Sequence, residues 1–116
     1  MLIRIDAESG RPLFEQVASS VRGDILAGRL EPGDRLPTAR EVADALEINL
    51  HTVLRAYQQL RDEGLVDLRR GRGAVIAASA APLTEVAHDI RSLVARASAL
   101  GIPPATLAAL ITEVES

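Results

Sequence analysis

The chain has 116 residues and a hydrophobic content of 47%, enough for one packed domain or for a domain with a small appendage. It contains no cysteine, and all 13 of its basic residues are arginine. Disulfides, thiolate metal sites, cysteine nucleophiles, Schiff-base lysines and lysine-bearing phosphate loops are therefore excluded together. The net charge of −3 argues mildly against a nucleic-acid partner, but residues 69–73 read RRGRG, three positive charges without an acid.

Residues 2–5 read as a short extended arm. Pro12 sits where a first helical turn tolerates proline, and Leu13, Phe14, Val17, Val21, Ile25 and Leu26 follow at helical spacing. Gly28 is a stop, so a first helix is predicted over 12–27. Glu31-Pro32-Gly33-Asp34 is a turn, and residues 35–37 are extended because the residue before proline avoids the α region. Thr38 with Glu41 forms a capping box opening a second helix over 39–46, with Val42, Ala43 and Leu46 inward.

Glu47, Ile48 and Asn49 separate that helix from the next, which is the spacing of a helix-turn-helix. Asn49 caps a third helix over 50–63 that turns Val53, Ala56, Tyr57 and Leu60 inward and ends at Gly64. The period then changes from helical to alternating. Residues 65–70 and 74–78 read as strands around a turn at Gly71 and Gly73, where positive φ is available. Residues 79–82 lack any pattern. Two further helices follow over 84–99 and 104–115, broken by Gly101 and restarted by Pro103 and Pro104.

The predicted fold is mainly α with a small β-hairpin wing: a winged helix-turn-helix over 1–78, a linker over 79–83, and a two-helix dimerisation region over 84–116. The runs 12–17 (PLFEQV), 25–30 (ILAGRL) and 32–37 (PGDRLP) resemble the GntR family of bacterial regulators. Arg40 to Ala43, Asn49, Thr52-Val53, Arg55 to Tyr57, Leu60, Glu63 to Leu65 and Arg70 to Gly73 extend the match over roughly 12–77. The short remainder, with the Arg55-Ala56-Tyr57 signature, looks like the YtrA subfamily, in which a short helical extension dimerises. The resemblance implies a transcription regulator, read as a repressor, on an inverted-repeat operator; a cytoplasmic location is the default expectation from composition. Two positions depart from the family pattern: Glu47 stands where glycine is usual, so it must find another turn geometry or accept strain, and Leu50 stands where proline, arginine or a polar residue is common.

In a helix-turn-helix the front of the second helix reaches base edges in the major groove of duplex DNA. Asn49, Leu50, His51 and Thr52 occupy that front, and Arg55 follows one turn on. Each has a plainer role: Asn49 as a cap alone, His51 as a solvated surface group, Leu50 as a filler of the seam with the preceding helix or a partner of a thymine methyl, Arg55 as the mate of Asp62 or Glu63. The resemblance makes Arg40 a DNA contact, against a surface pair with Asp44. Thr38 is first a cap, though a helix N-terminus also suits a phosphate. Arg70, Gly71, Arg72 and Gly73 form the wing, where small residues permit close backbone approach and arginine suits a narrow minor groove.

The last two helices carry apolar stripes at Val86, Ile90, Leu93 and Ala97, and at Leu107, Leu110, Ile111 and Val114. Helices this short are marginal alone, so a two-fold partner is expected; folding back on the first helix is the alternative. No catalytic residues, metal or cofactor are expected, because His51 and His88 fall in separate segments without ligand-spaced partners. With Phe14 and Tyr57 the only aromatics, base stacking on single strands is poorly supported. No apolar run suits a membrane, and residues 1–6 do not read as a secretory leader. A small-molecule effector at the dimer seam stays open, as does a winged-helix adaptor that binds protein and not DNA.

Overall fold

Pro12, at φ −55°, opens α1 (Leu13–Leu26), whose Val17, Ala18, Val21 and Ile25 are all buried. The computed structural model of the chain describes residues 2–71 and 73–115. The arm before α1 is tied down by Gln16, the one buried polar side chain among the described residues: its amide donates to the carbonyls of Asp6 and Arg11, and its oxygen accepts the Asp6 amide. Ile3 thereby joins the core. Every polar atom of this buried amide is partnered, so its burial costs little.

The turn at Glu31–Asp34 closes by an Asp34 N–H to Glu31 carbonyl bond of 3.0 Å, with Gly33 at φ 92° as that turn requires. Thr38 caps α2 (Ala39–Leu46) by accepting the Glu41 amide at 3.1 Å. The Glu41 carboxylate accepts from the Thr38 hydroxyl and not from its amide, so the capping box closes through side chains. At the end of α2, Glu47 takes the left-handed conformation (φ 56°, ψ 46°), the one positive φ at a non-glycine among the described residues. Its N–H and that of Ile48 both bond the Ala43 carbonyl, so the turn keeps the glycine geometry with a side chain in it.

Asn49 then caps α3 (Leu50–Asp62), accepting the His51 amide at 2.7 Å. Val53, Ala56 and Leu60 are fully buried, and α3 packs on both α1 and α2. β1 (Val66–Arg69) and β2 (Gly73–Ile76) form an antiparallel hairpin in the register Val66 to Ile76 and Arg69 to Gly73. The extended residues before α2 add a short second ladder: Leu36 N–H bonds the Ala74 carbonyl, and Ile76 N–H bonds the Asp34 carbonyl. The sequence marked this segment as extended but gave no pairing partner for it.

The chain divides into two compact units, Met1–Thr84 and Glu85–Ser116. Residues 79–83, expected as a linker, include ordered elements. Ala78–Ala80 make a 3-10 turn with Ala80 buried, Ser79 donates to the Gly64 carbonyl, and Leu83 is half-buried against the core. Small residues are what permit that close packing. The second unit holds the rest of α4 (Leu83–Ala99) and α5 (Pro104–Glu115), joined at Gly101 (φ 81°) with Ile102 N–H returning to the Ala97 carbonyl at 2.8 Å.

Candidate nucleic-acid interface

Two contacts fix how α3 is presented. Tyr57 donates its hydroxyl to the Pro37 carbonyl at 2.7 Å, tying the middle of α3 to the strand that enters α2. Burial pushes the Tyr57 phenol above its ordinary pKa, so it stays a donor. Arg22 of α1 grips Glu63 at the end of α3 with two bonds of 2.8 Å. The hydrogen bonds between them, each charge favouring the other, raise the Arg22 pKa and hold Glu63 below the usual carboxylate range. The first contact holds α3 from its buried side and the second ties down its C-terminal end.

At the front of α3, Asn49 and His51 are exposed and Thr52 is half-buried. The Asn49 side-chain oxygen is engaged as the cap, which leaves its amide nitrogen for other partners. Leu50 is half-buried and packs against the hydrophobic core. Arg55 pairs with neither Asp62 nor Glu63. Its guanidinium carbon lies 3.7 Å from the centroid of the Phe14 ring on α1, a cation–π contact that holds the charge beside α1. Thr38 and Arg40 are exposed at the start of α2, and Arg40 makes no pair with Asp44.

In the wing, Arg70, Gly71 and Gly73 are exposed, and both glycines take positive φ, 81° and 70°. Arg72 lies outside the described residues. Arg35 carries no binding motif in the sequence. It is exposed, bridges Val75 of β2 through its backbone, and so stands between the wing and the start of α2. The signal for it was faint, a lone arginine in a segment without periodicity.

The ion pairs sort the arginines. Among the described residues, Arg22, Arg29, Arg61 and Arg69 pair with acids, whereas Arg35, Arg40, Arg55 and Arg70 have no acidic partner. These four arginines lie at the start of α2, on α3 and at the hairpin and its edge, in a chain whose net charge is negative. In the second unit, Val86, Ile90, Leu93, Leu110, Ile111 and Val114 are exposed, the last at 86%. Leu107 is half-buried. Ala97, expected in the same stripe, is buried within the chain itself.

A capped helix set across a short turn from a second helix, beside a glycine-rich hairpin, defines a winged helix-turn-helix DNA-binding regulator. Comparison with known proteins agrees. Residues 13–76 match the family described as bacterial regulatory proteins, gntR family. The chain is 31% identical over 121 residues to the HTH-type transcriptional repressor YtrA of Bacillus subtilis, covering 99% of this chain and 93% of that protein. The solved structure of YtrA from Sulfolobus acidocaldarius, a GntR-family transcription factor, is 35% identical with a TM-score of 0.62, covering 85% of this chain and 99% of the other. A crystal structure of AraR(DBD) in complex with operator ORE1 is 25% identical with a TM-score of 0.56, covering 66% of this chain and 94% of the other. The protein belongs to the gntR family of bacterial regulators, and it is a DNA-binding transcription regulator, not an enzyme.

Proposed function

We propose that the protein represses transcription in the cytoplasm as a homodimer bound to an inverted-repeat operator. Residues 1–78 supply the DNA-binding part and 84–116 the dimerisation part. Asn49, His51 and Thr52 reach base edges in the major groove. Thr38, Arg40 and Arg35 hold the phosphates around the start of α2. Arg55, drawn towards α1 by Phe14, serves the backbone more readily than a base. Arg70, Gly71, Arg72 and Gly73 bring the wing to the neighbouring minor groove. The observation that carries this reading is that Arg35, Arg40, Arg55 and Arg70, on the helix-turn-helix and the hairpin, have no acidic partner among the described residues.

Dimerisation rests on the second unit. The two helices α4 and α5, of 17 and 12 residues, leave Val86, Ile90, Leu93, Val94, Leu110, Ile111 and Val114 exposed. Exposed apolar patches of this kind mark association surfaces, and a two-fold partner would present two α3 helices to successive major grooves. Repression follows the name of the Bacillus subtilis relative. The test is selection of bound duplexes from a random pool, followed by sedimentation of the complex. Two copies of the chain on an inverted repeat are expected. One copy on an asymmetric site would refute the homodimer, and failure to enrich any sequence would refute specific recognition.

A further inference from the structure

The outward face of α3 is polar, with His51, Gln58 and Asp62 exposed, but it carries one large apolar side chain that the fold does not use. Leu54 is 36% exposed and stands outside the core cluster, whereas Leu50, one turn earlier, packs against that cluster. The two leucines therefore have different duties. Leu50 packs on the core. Leu54 lies one helical turn behind the front of α3, with His51 three residues before it and Gln58 four residues after it on the same side of the helix. Arg55, the bulkiest neighbour, is drawn aside onto Phe14 and leaves this stripe open.

In the major groove the base edges present hydrogen-bonding atoms and a single apolar group, the C5 methyl of thymine. A leucine bracketed by two hydrogen-bonding side chains on a groove-facing helix matches that combination. We propose that Leu54 is a specificity-determining residue that selects thymine by packing against its C5 methyl. The inference rests on the reading that α3 enters the major groove. It gives a sequence preference to a position the capped front alone does not account for.

Thymine-to-uracil replacement deletes that methyl and leaves every hydrogen-bonding atom in place. The probe is a duplex selected by the wild-type protein from a random pool, with each thymine replaced in turn by uracil. Burial of one methyl-sized group corresponds to about a fourfold change in affinity. Wild type should lose two- to fivefold, roughly, at one thymine of a half-site, and L54A should bind the thymine and uracil duplexes equally, the coupling of a double-mutant cycle. L54M, which keeps an apolar side chain, should retain the discrimination and guards against a folding defect in L54A. Uracil tolerated at every position by wild type, or discrimination unchanged in L54A, overturns the proposal while leaving DNA binding intact. A protein that selects no duplex at all instead overturns the groove reading beneath it.

Discussion

Replacing Glu47 by glycine should stabilise the protein. Glu47 holds φ 56° and ψ 46° in the turn between α2 and α3, a conformation that crowds the Cβ of an L-residue at a cost of roughly 1–2 kcal/mol. The side chain is exposed and makes no ion pair among the described residues, so removing it loses no contact. The bonds from the Glu47 and Ile48 amides to the Ala43 carbonyl are backbone bonds and survive the change. Against the relieved strain stands the extra freedom of glycine in the unfolded chain, about 0.5–1 kcal/mol. The net gain is about 0.5–1 kcal/mol, which raises the melting temperature of a domain this size by about 2–8 °C.

Thermal melting followed by far-ultraviolet circular dichroism reads this directly. E47N should gain part of the increase, because asparagine tolerates the left-handed region. E47A and E47Q should gain nothing, since the first keeps Cβ and the second changes only the charge. If E47G melts no higher than wild type, or if E47A matches its gain, the strain is not where the backbone places it.

Other substitutions test the contacts that aim α3. Y57F removes the hydroxyl that reaches the Pro37 carbonyl and should cost about 1–3 kcal/mol by chemical denaturation, since it leaves a part-buried acceptor unpaired. Glu63 has a pKa lowered by Arg22, so its contribution is present above the ordinary carboxylate range and is lost as pH falls through the lowered value. With side chains 31% and 34% exposed, the pair is worth at most about 1 kcal/mol, and the stability gap between wild type and E63Q at neutral pH should close in acid. R40A and R70A should each weaken binding to all duplexes alike and reduce the salt slope by about one, read from isotherms at several salt concentrations. L93D with I111E should shift the sedimenting species to monomer while retaining helical circular dichroism; a persistent dimer would place the interface elsewhere.

Much of the architecture was legible because local signals agreed with one another. Pro12, the Thr38 cap, the Asn49 cap and the glycines at 28, 64 and 101 bound each helix to within a residue or two of its observed ends. The hairpin followed from a change of period and two glycines. What stayed hidden were relations between distant residues. Arg55 and Phe14, or Arg22 and Glu63, carry no joint pattern along the chain, and each meets its partner only because α1 packs on α3. The ladder of Asp34 and Leu36 with β2 is made by backbone groups, which any side chain permits. Leu50 packs against the core, which leaves Leu54 as the exposed large apolar residue of α3 outside the core cluster, a difference that spacing alone does not show. Ala97 fitted an apolar stripe by spacing, yet periodicity does not say which side of a helix pair a small residue fills.

The central claim is that unpaired arginines and the capped front of α3 meet double-stranded DNA. The direct measurement is a fluorescence-anisotropy titration of labelled duplex with the whole protein at stepped salt concentrations. The account predicts tight binding in dilute buffer and a logarithm of affinity that falls linearly with the logarithm of salt, as released counterions require. No binding to selected or random duplex even at the lowest salt would contradict it.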